Sequence, residues 1–108
     1  MTGVTLYWED GTLRGVESRG HSGFADKGKD IVCAAVSSLL HALILGLSDV
    51  AKVDGVDCEV NPEGPLIRVL WPRSSAERLE LLTRTIALSL KEIEKGSPEY
   101  VHITEVQL

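Results

Sequence analysis

Gly20-His21-Ser22-Gly23-Phe24-Ala25-Asp26-Lys27-Gly28-Lys29-Asp30-Ile31-Val32-Cys33 takes the chain from the end of a strand, through a glycine-rich loop, into a helix. Over residues 31–47 the side chains are apolar or helix-forming, interrupted only by Ser37, Ser38, His41 and Gly46. Asp30 is a favoured N-cap, because its carboxylate accepts a backbone N–H of the second or third helical residue. That count puts Cys33 in the first turn. Unsatisfied N–H groups and the helix macrodipole favour an anion there, and thiolate is the reactive form of cysteine. The stretch thus delivers a histidine, a flexible loop, a cap and a cysteine, in an order that reads as a thiol nucleophile with its base.

Outward from this stretch, residues 2–9 and 13–19 are rich in β-branched and aromatic side chains, and Asp10-Gly11 joins them as a two-residue hairpin signal. The helix after the loop is expected to end near residues 46–48. Its apolar residues go nearly all the way round, which predicts burial on most sides, centrally against the sheet or in a subunit interface. Val56, Cys58 and Val60 alternate with Asp57 and Glu59, the period of a half-buried strand, so Cys58 is expected in the core. Asn61-Pro62-Glu63-Gly64-Pro65 then supplies the turn into a partner strand over residues 66–71. Ser74 and Glu77 have capping-box spacing, and Leu79, Leu82, Ile86, Leu90 and Ile93 form the stripe of a second helix ending around residues 96–98. Residues 101–108 close the chain as a strand. The order ββαββαβ predicts an α+β two-layer sandwich, a mostly antiparallel sheet with two helices.

At 108 residues the chain is expected to be one domain, residues 1–108. Hydrophobic residues at 44% and charged residues at 25% exclude a disordered composition. The longest apolar run, residues 39–47, is broken by His41 and Gly46 and falls far short of the ~20 residues that span a bilayer, so no membrane segment is expected. Residues 1–10 lack a basic region followed by an apolar one, which predicts no secretory signal and a cytoplasmic location. Two cysteines make no disulfide framework. A net charge of −5 argues against nucleic-acid binding and favours a basic partner.

Several residues compete for roles. His41 lies eight residues after Cys33, a rise of ~12 Å along a helix, too far to serve as its base. It reads as a histidine satisfied in a polar stripe with Ser37 and Ser38. Ser37, one turn after Cys33, shares its face and has a hydroxyl within reach of a thiolate, an imidazole or a substrate. Asp30, besides capping, is placed to orient His21. His102 in the final strand is expected to face solvent. No close C-x₂-C or H-x₃-H pair exists, so no metal site is predicted from His21, Cys33, His41 and Cys58. Gly23 and Gly28 make no phosphate loop, because Lys29 is followed by Asp30 rather than Ser or Thr.

On Gly20-His21 and Gly28-Lys29-Asp30-Ile31-Val32-Cys33-Ala34-Ala35-Val36-Ser37 the chain resembles the ribosomal-processing cysteine protease family of bacteria. The element order and chain length agree with that family. The resemblance implies a His21–Cys33 catalytic dyad supported by Asp30 and Ser37, with no cofactor. It implies a mobile loop over the site, supplied here by Ser22, Gly23, Phe24, Ala25, Asp26, Lys27, Gly28 and Lys29, and a homodimer. The implied substrate is a large-subunit ribosomal protein with a short N-terminal extension, cut after a pair of phenylalanines. Ser22 departs from the small alanine that many members carry. Two other readings stay open at this stage: a non-catalytic ribosome-associated binding or assembly module in which His21 and Cys33 merely pack, and a thiol hydrolase or transferase acting on a small molecule.

Overall fold

The computed structural model describes residues 1–20 and 31–108. Strands β1 (Thr2–Glu9) and β2 (Thr12–Arg19) form the first hairpin. Asp10 and Gly11 both sit at positive φ, 52° and 78°, the pair of angles that a two-residue turn needs to match the twist of its strands. Helix α1 (Ile31–Leu45) continues into a π-helical turn (Gly46–Val50). After it come β3 (Asp57–Asn61), β4 (Leu66–Leu70), a short α2 (Arg73–Ala76), the long α3 (Glu80–Gly96) and β5 (Val101–Gln107). The five strands make one sheet in the order β3-β4-β2-β1-β5, antiparallel throughout except where β5 runs parallel to β1. One face carries the helices, giving the expected two-layer α+β arrangement.

The core lies between that face and the helices. Val4, Leu6, Leu13, Val16 and Val69 come from the sheet, Val36, Leu40, Leu43 and Leu47 from α1 and its π turn, and Leu90 from α3, each 1% exposed or less. Trp71, also 1% exposed, donates its indole N–H to the Leu13 carbonyl at 3.0 Å, so the largest core side chain is also satisfied as a donor.

Four expectations are corrected. The first helix does not stop at Gly46. Ala51 N–H bonds the Gly46 carbonyl at 2.8 Å, a five-residue spacing, and the turn is ended only by Lys52 at φ 52°. Gly46 is there for closeness: a Cβ on it would stand 2.8 Å from Leu82 Cδ2, so its absence lets α1 and α3 approach. The unbroken span Ile31–Val50 is 20 residues, long and apolar enough by length and composition to cross a membrane, contrary to the estimate from the broken run. Ser37, Ser38, His41 and Gly46 interrupt the apolar run without interrupting the helix, whose Val36, Leu40, Leu43 and Leu47 pack into the core.

Second, α1 is not buried on most sides within this chain. Ile31, Ala34, Ser38, Ala42 and Leu45 form an exposed outer face. Third, Cys58 is exposed, as are all five residues of β3, because β3 is the edge strand and neither long helix extends over it. Fourth, the second helical segment is two helices. Pro72, not Ser74, occupies the N-cap of α2, no side-chain cap bond forms, and Ser74 falls inside the helix, so the capping box is not made. The chain tightens at Glu80 N–H to Glu77 carbonyl, 3.3 Å, turning both Ala76 and Leu79 into the core before α3 begins. The rest of the stripe holds, with Thr83 and Ala87 added to it. His102 faces solvent as expected, 3.8 Å from Glu94.

Leu40→Ala is expected to lower the unfolding free energy by about 2–5 kcal/mol, the range for a leucine removed from a packed core. Urea denaturation followed by circular dichroism measures it, and a loss under about 1 kcal/mol would mean that α1 is not seated as described.

Candidate active site

Three structural facts build the site. Strand β2 delivers the chain to Gly20, whose φ of +81° and close neighbour (Met1 carbonyl 3.1 Å from a would-be Cβ) demand glycine. Gly20 N–H donates to the Pro65 carbonyl at 2.9 Å, tying the exit of β2 to the tip of the β3–β4 hairpin. That tip is shaped by Asn61, whose Oδ1 accepts from the N–H groups of Glu63 at 3.1 Å and Gly64 at 3.3 Å, while Pro62 and Pro65 stiffen it. Helix α1 then presents Cys33, Ser37 and His41, spaced four residues apart, along the flank that faces this hairpin.

Between flank and hairpin lies a cavity of about 250 Å³. Cys33, Ser37 and His41 line one side, and Val60, Pro62, Pro65, Leu66 and Ile67 line the other, with Ser18 and Gly20 at the strand end. The volume is below the ~300–1,000 Å³ of small-molecule sites, a scale suited to one or two peptide side chains. None of the described lining residues carries an obligatory charge, so the cavity selects apolar groups with a few polar contacts. Cys33 is half-buried, in contrast with the buried Val32 and Val36 beside it.

His41 Nδ1 lies 2.8 Å from the Ser37 carbonyl oxygen and 3.3 Å from Ser37 Oγ. The histidine is thus satisfied by Ser37, as its place in the polar stripe suggested, and it also lines the cavity. Cys33 and Ser37 come together as expected. His21, Asp30 and the loop Ser22 through Lys29 lie outside the described residues. Among the described residues no three His, Cys, Asp or Glu side chains group in a way that would hold a metal ion.

The hairpin wall was not foreseen. Val60, Ile67 and Leu66 read locally as strand residues, and only the cross-strand pairings Ser18↔Ile67 and Val60↔Ile67 bring them level with the start of α1. The one local hint was the doubly proline-bounded turn at 61–65, whose rigidity suits a cavity rim.

The model of the family described as cysteine protease Prp matches residues 1–102. The chain belongs to that family. It is a cysteine protease of the Prp type, and its fold is shared by solved structures. The Streptococcus mutans protein SMU.848 is 29% identical with a TM-score of 0.86, over 100% of this chain and 96% of that one. The Staphylococcus aureus ribosomal processing protease Prp was solved with a covalently linked product peptide (22% identity, TM-score 0.83) and with a substrate peptide (21% identity, TM-score 0.81), each over 97% of this chain and 99% of that one. A search of curated proteins gave no match.

The two thiols of this Prp-family chain are in different settings. Partial burial, and then the charge of Asp57, push the Cys58 thiol above its ordinary pKa. A raised pKa leaves less thiolate at neutral pH, so Cys58, although exposed, is expected to react with iodoacetamide more slowly than the same residue in urea-unfolded protein. Peptide mapping by mass spectrometry after timed labelling at pH 7 measures this; equal rates would contradict it.

Proposed function

We propose that this protease removes the short N-terminal extension of a large-subunit ribosomal protein, cutting after a Phe-Phe pair, with Cys33 as nucleophile and His21 as base. One observation carries the reading: Cys33 and Ser37 line the same cavity as Gly20, the residue to which His21 is joined. The relatives solved with bound peptides support a peptide substrate, and the apolar hairpin wall of Val60, Pro62, Pro65, Leu66 and Ile67 suits an aromatic side chain. The acidic chain, net −5, suits a basic ribosomal protein.

In the mechanism, His21 takes the proton from Cys33 Sγ and the thiolate attacks the scissile carbonyl carbon. The first-turn position of Cys33, third residue of α1, favours that anion. The new C–S bond leaves an oxyanion, which backbone N–H groups at the start of α1 are suited to receive. His21 then protonates the departing amine as the C–N bond breaks, leaving a thioester. Water, deprotonated by His21, attacks the thioester and releases the new C-terminus and the thiol. Asp30 is assigned a supporting role to His21, and Ser37 offers a hydroxyl to the thiolate or the substrate. A reducing cytoplasm, where Cys33 stays a thiol, is the compartment that fits.

A synthetic peptide spanning the Phe-Phe junction tests the assignment. Cys33→Ala and His21→Ala are expected to lose about 10³-fold or more in kcat/KM. Ser37→Ala is expected to lose about five- to tenfold, the effect of one hydrogen bond. Cleavage that persists in Cys33→Ala would refute the assignment.

The outer face of α1 supports a homodimer. Ile31 and Leu45 are 69% and 56% exposed, and Leu81 and Leu88 of α3 are 87% and 57% exposed, large apolar side chains left on the outer sides of two helices that pack together. We place the two-fold contact there. Light scattering at micromolar concentration is expected to give a dimer for the parent protein and a folded monomer for Leu45→Glu combined with Leu81→Glu. A parent that is already monomeric would sink the placement.

A further inference from the structure

His41 lines the cavity and the proposed reaction does not use it. Eight residues of helix separate it from Cys33, a rise of ~12 Å, so it has no part in the proton transfers at sulfur. Its ring is nonetheless tethered to its own helix. The Ser37 carbonyl, 2.8 Å from Nδ1, accepts and never donates, so Nδ1 carries the hydrogen and donates it. In the neutral ring Nε2 is then the acceptor. The contact is i to i+4 along α1, so the helix that positions Cys33 also orients the imidazole.

The groove that joins the two residues is open and apolar on its far side. Val60, on the edge strand, is 48% exposed although it projects to the same face as buried Val69, because among the described residues no helix covers it. An extended peptide laid between α1 and the hairpin buries that surface with its side chains. Its backbone N–H groups then need acceptors, and an unmet buried donor is costly. An extended chain advances ~3.3 Å per residue, so ~12 Å of groove corresponds to between three and four residues.

We infer that His41 is a substrate-binding residue that sets the register of the peptide: its Nε2 accepts the backbone N–H of the substrate residue three to four positions from the bond that Cys33 attacks. The inference rests on the reading of Cys33 as the nucleophile and extends the site from the reacting bond to the length of peptide that it holds. His41 touches the substrate, not the reacting atoms, and its effect falls on binding.

The experiment measures kcat and KM for the parent, His41→Ala and His41→Gln on Phe-Phe peptides shortened one residue at a time from either end. On the longest peptide His41→Ala is expected to raise KM about five- to tenfold, the effect of one hydrogen bond, with most of the loss in KM and little in kcat. His41→Gln, whose Oε1 accepts, regains most of it. The KM ratio between variant and parent falls to about one when the peptide is cut, on one side, to within three residues of the scissile bond. A second readout needs no variant: N-methylation of the amide three or four residues from the scissile bond raises KM of the parent by the same factor, and methylation elsewhere in the groove does not. A KM ratio independent of peptide length, a loss confined to kcat, or identical parent and His41→Ala kinetics overturns the inference while the protease assignment stands. A parent that cleaves none of the peptides overturns both.

Discussion

The rotation of α1 about its own axis is the constraint on which the site depends. Val36, Leu40, Leu43 and Leu47 are each at most 1% exposed and lie on one side of the helix and its π turn. At 3.6 residues per turn this fixes Cys33, Ser37 and His41 on the adjoining flank, above the edge of the sheet rather than its middle. A burial of this kind stabilises by about 1.5–3 kcal/mol per large aliphatic side chain. A turn of the helix by one residue, about 100°, would withdraw several of them and is forbidden by that sum. The polar flank needs no anchor of its own, because the hydrophobic flank holds it.

The second wall comes from an omission in the same layer. Two long helices do not cover five strands, and among the described residues the strand left without a helix above it is β3. Val60 and Ile67 therefore present apolar surface sideways to α1 instead of upward into a packed layer. What would be an unfinished core in a purely structural domain becomes a groove with a rigid, proline-bounded rim. The bond from Gly20 N–H to the Pro65 carbonyl keeps rim and strand end together, so the groove opens at the point where β2 hands the chain on to residue 21.

Features set by neighbouring residues were legible in the sequence. Asp10-Gly11 fixed the first hairpin, and β1 and β2 end within a residue of the predicted limits, because turn chemistry acts over two residues. The shared face of Cys33 and Ser37 followed from helical spacing alone. What failed was lateral. Alternation told which residues of β3 share a face but not that the face would lie at a sheet edge, so Cys58 was assigned to a core that does not extend over it. Gly46 resembles a helix stop in sequence and is in fact a point of contact with Leu82, a partner 36 positions away in the chain. The Ser74–Glu77 spacing matched a capping box, yet Pro72 with φ −65° and ψ 146° had already taken the cap. Half the cavity, the hairpin wall, depends on strand order, which no local pattern carries.

The all-round apolarity of α1 resolves into three flanks with different neighbours. One packs on the sheet. One, carrying the only polar steps at regular spacing, borders the groove with Cys33, Ser37 and His41. The third, with Ile31, Ala34, Ser38, Ala42 and Leu45, faces outward and is apolar except at Ser38. A helix serving the core alone would carry polar residues on its outer side, and a cysteine serving the core alone would sit with Val32 and Val36 rather than half-buried one step round from them. The distribution of residues around α1 therefore separates a half-buried sulfur on the groove flank from an outer flank whose aliphatic side chains Ile31 and Leu45 stay exposed.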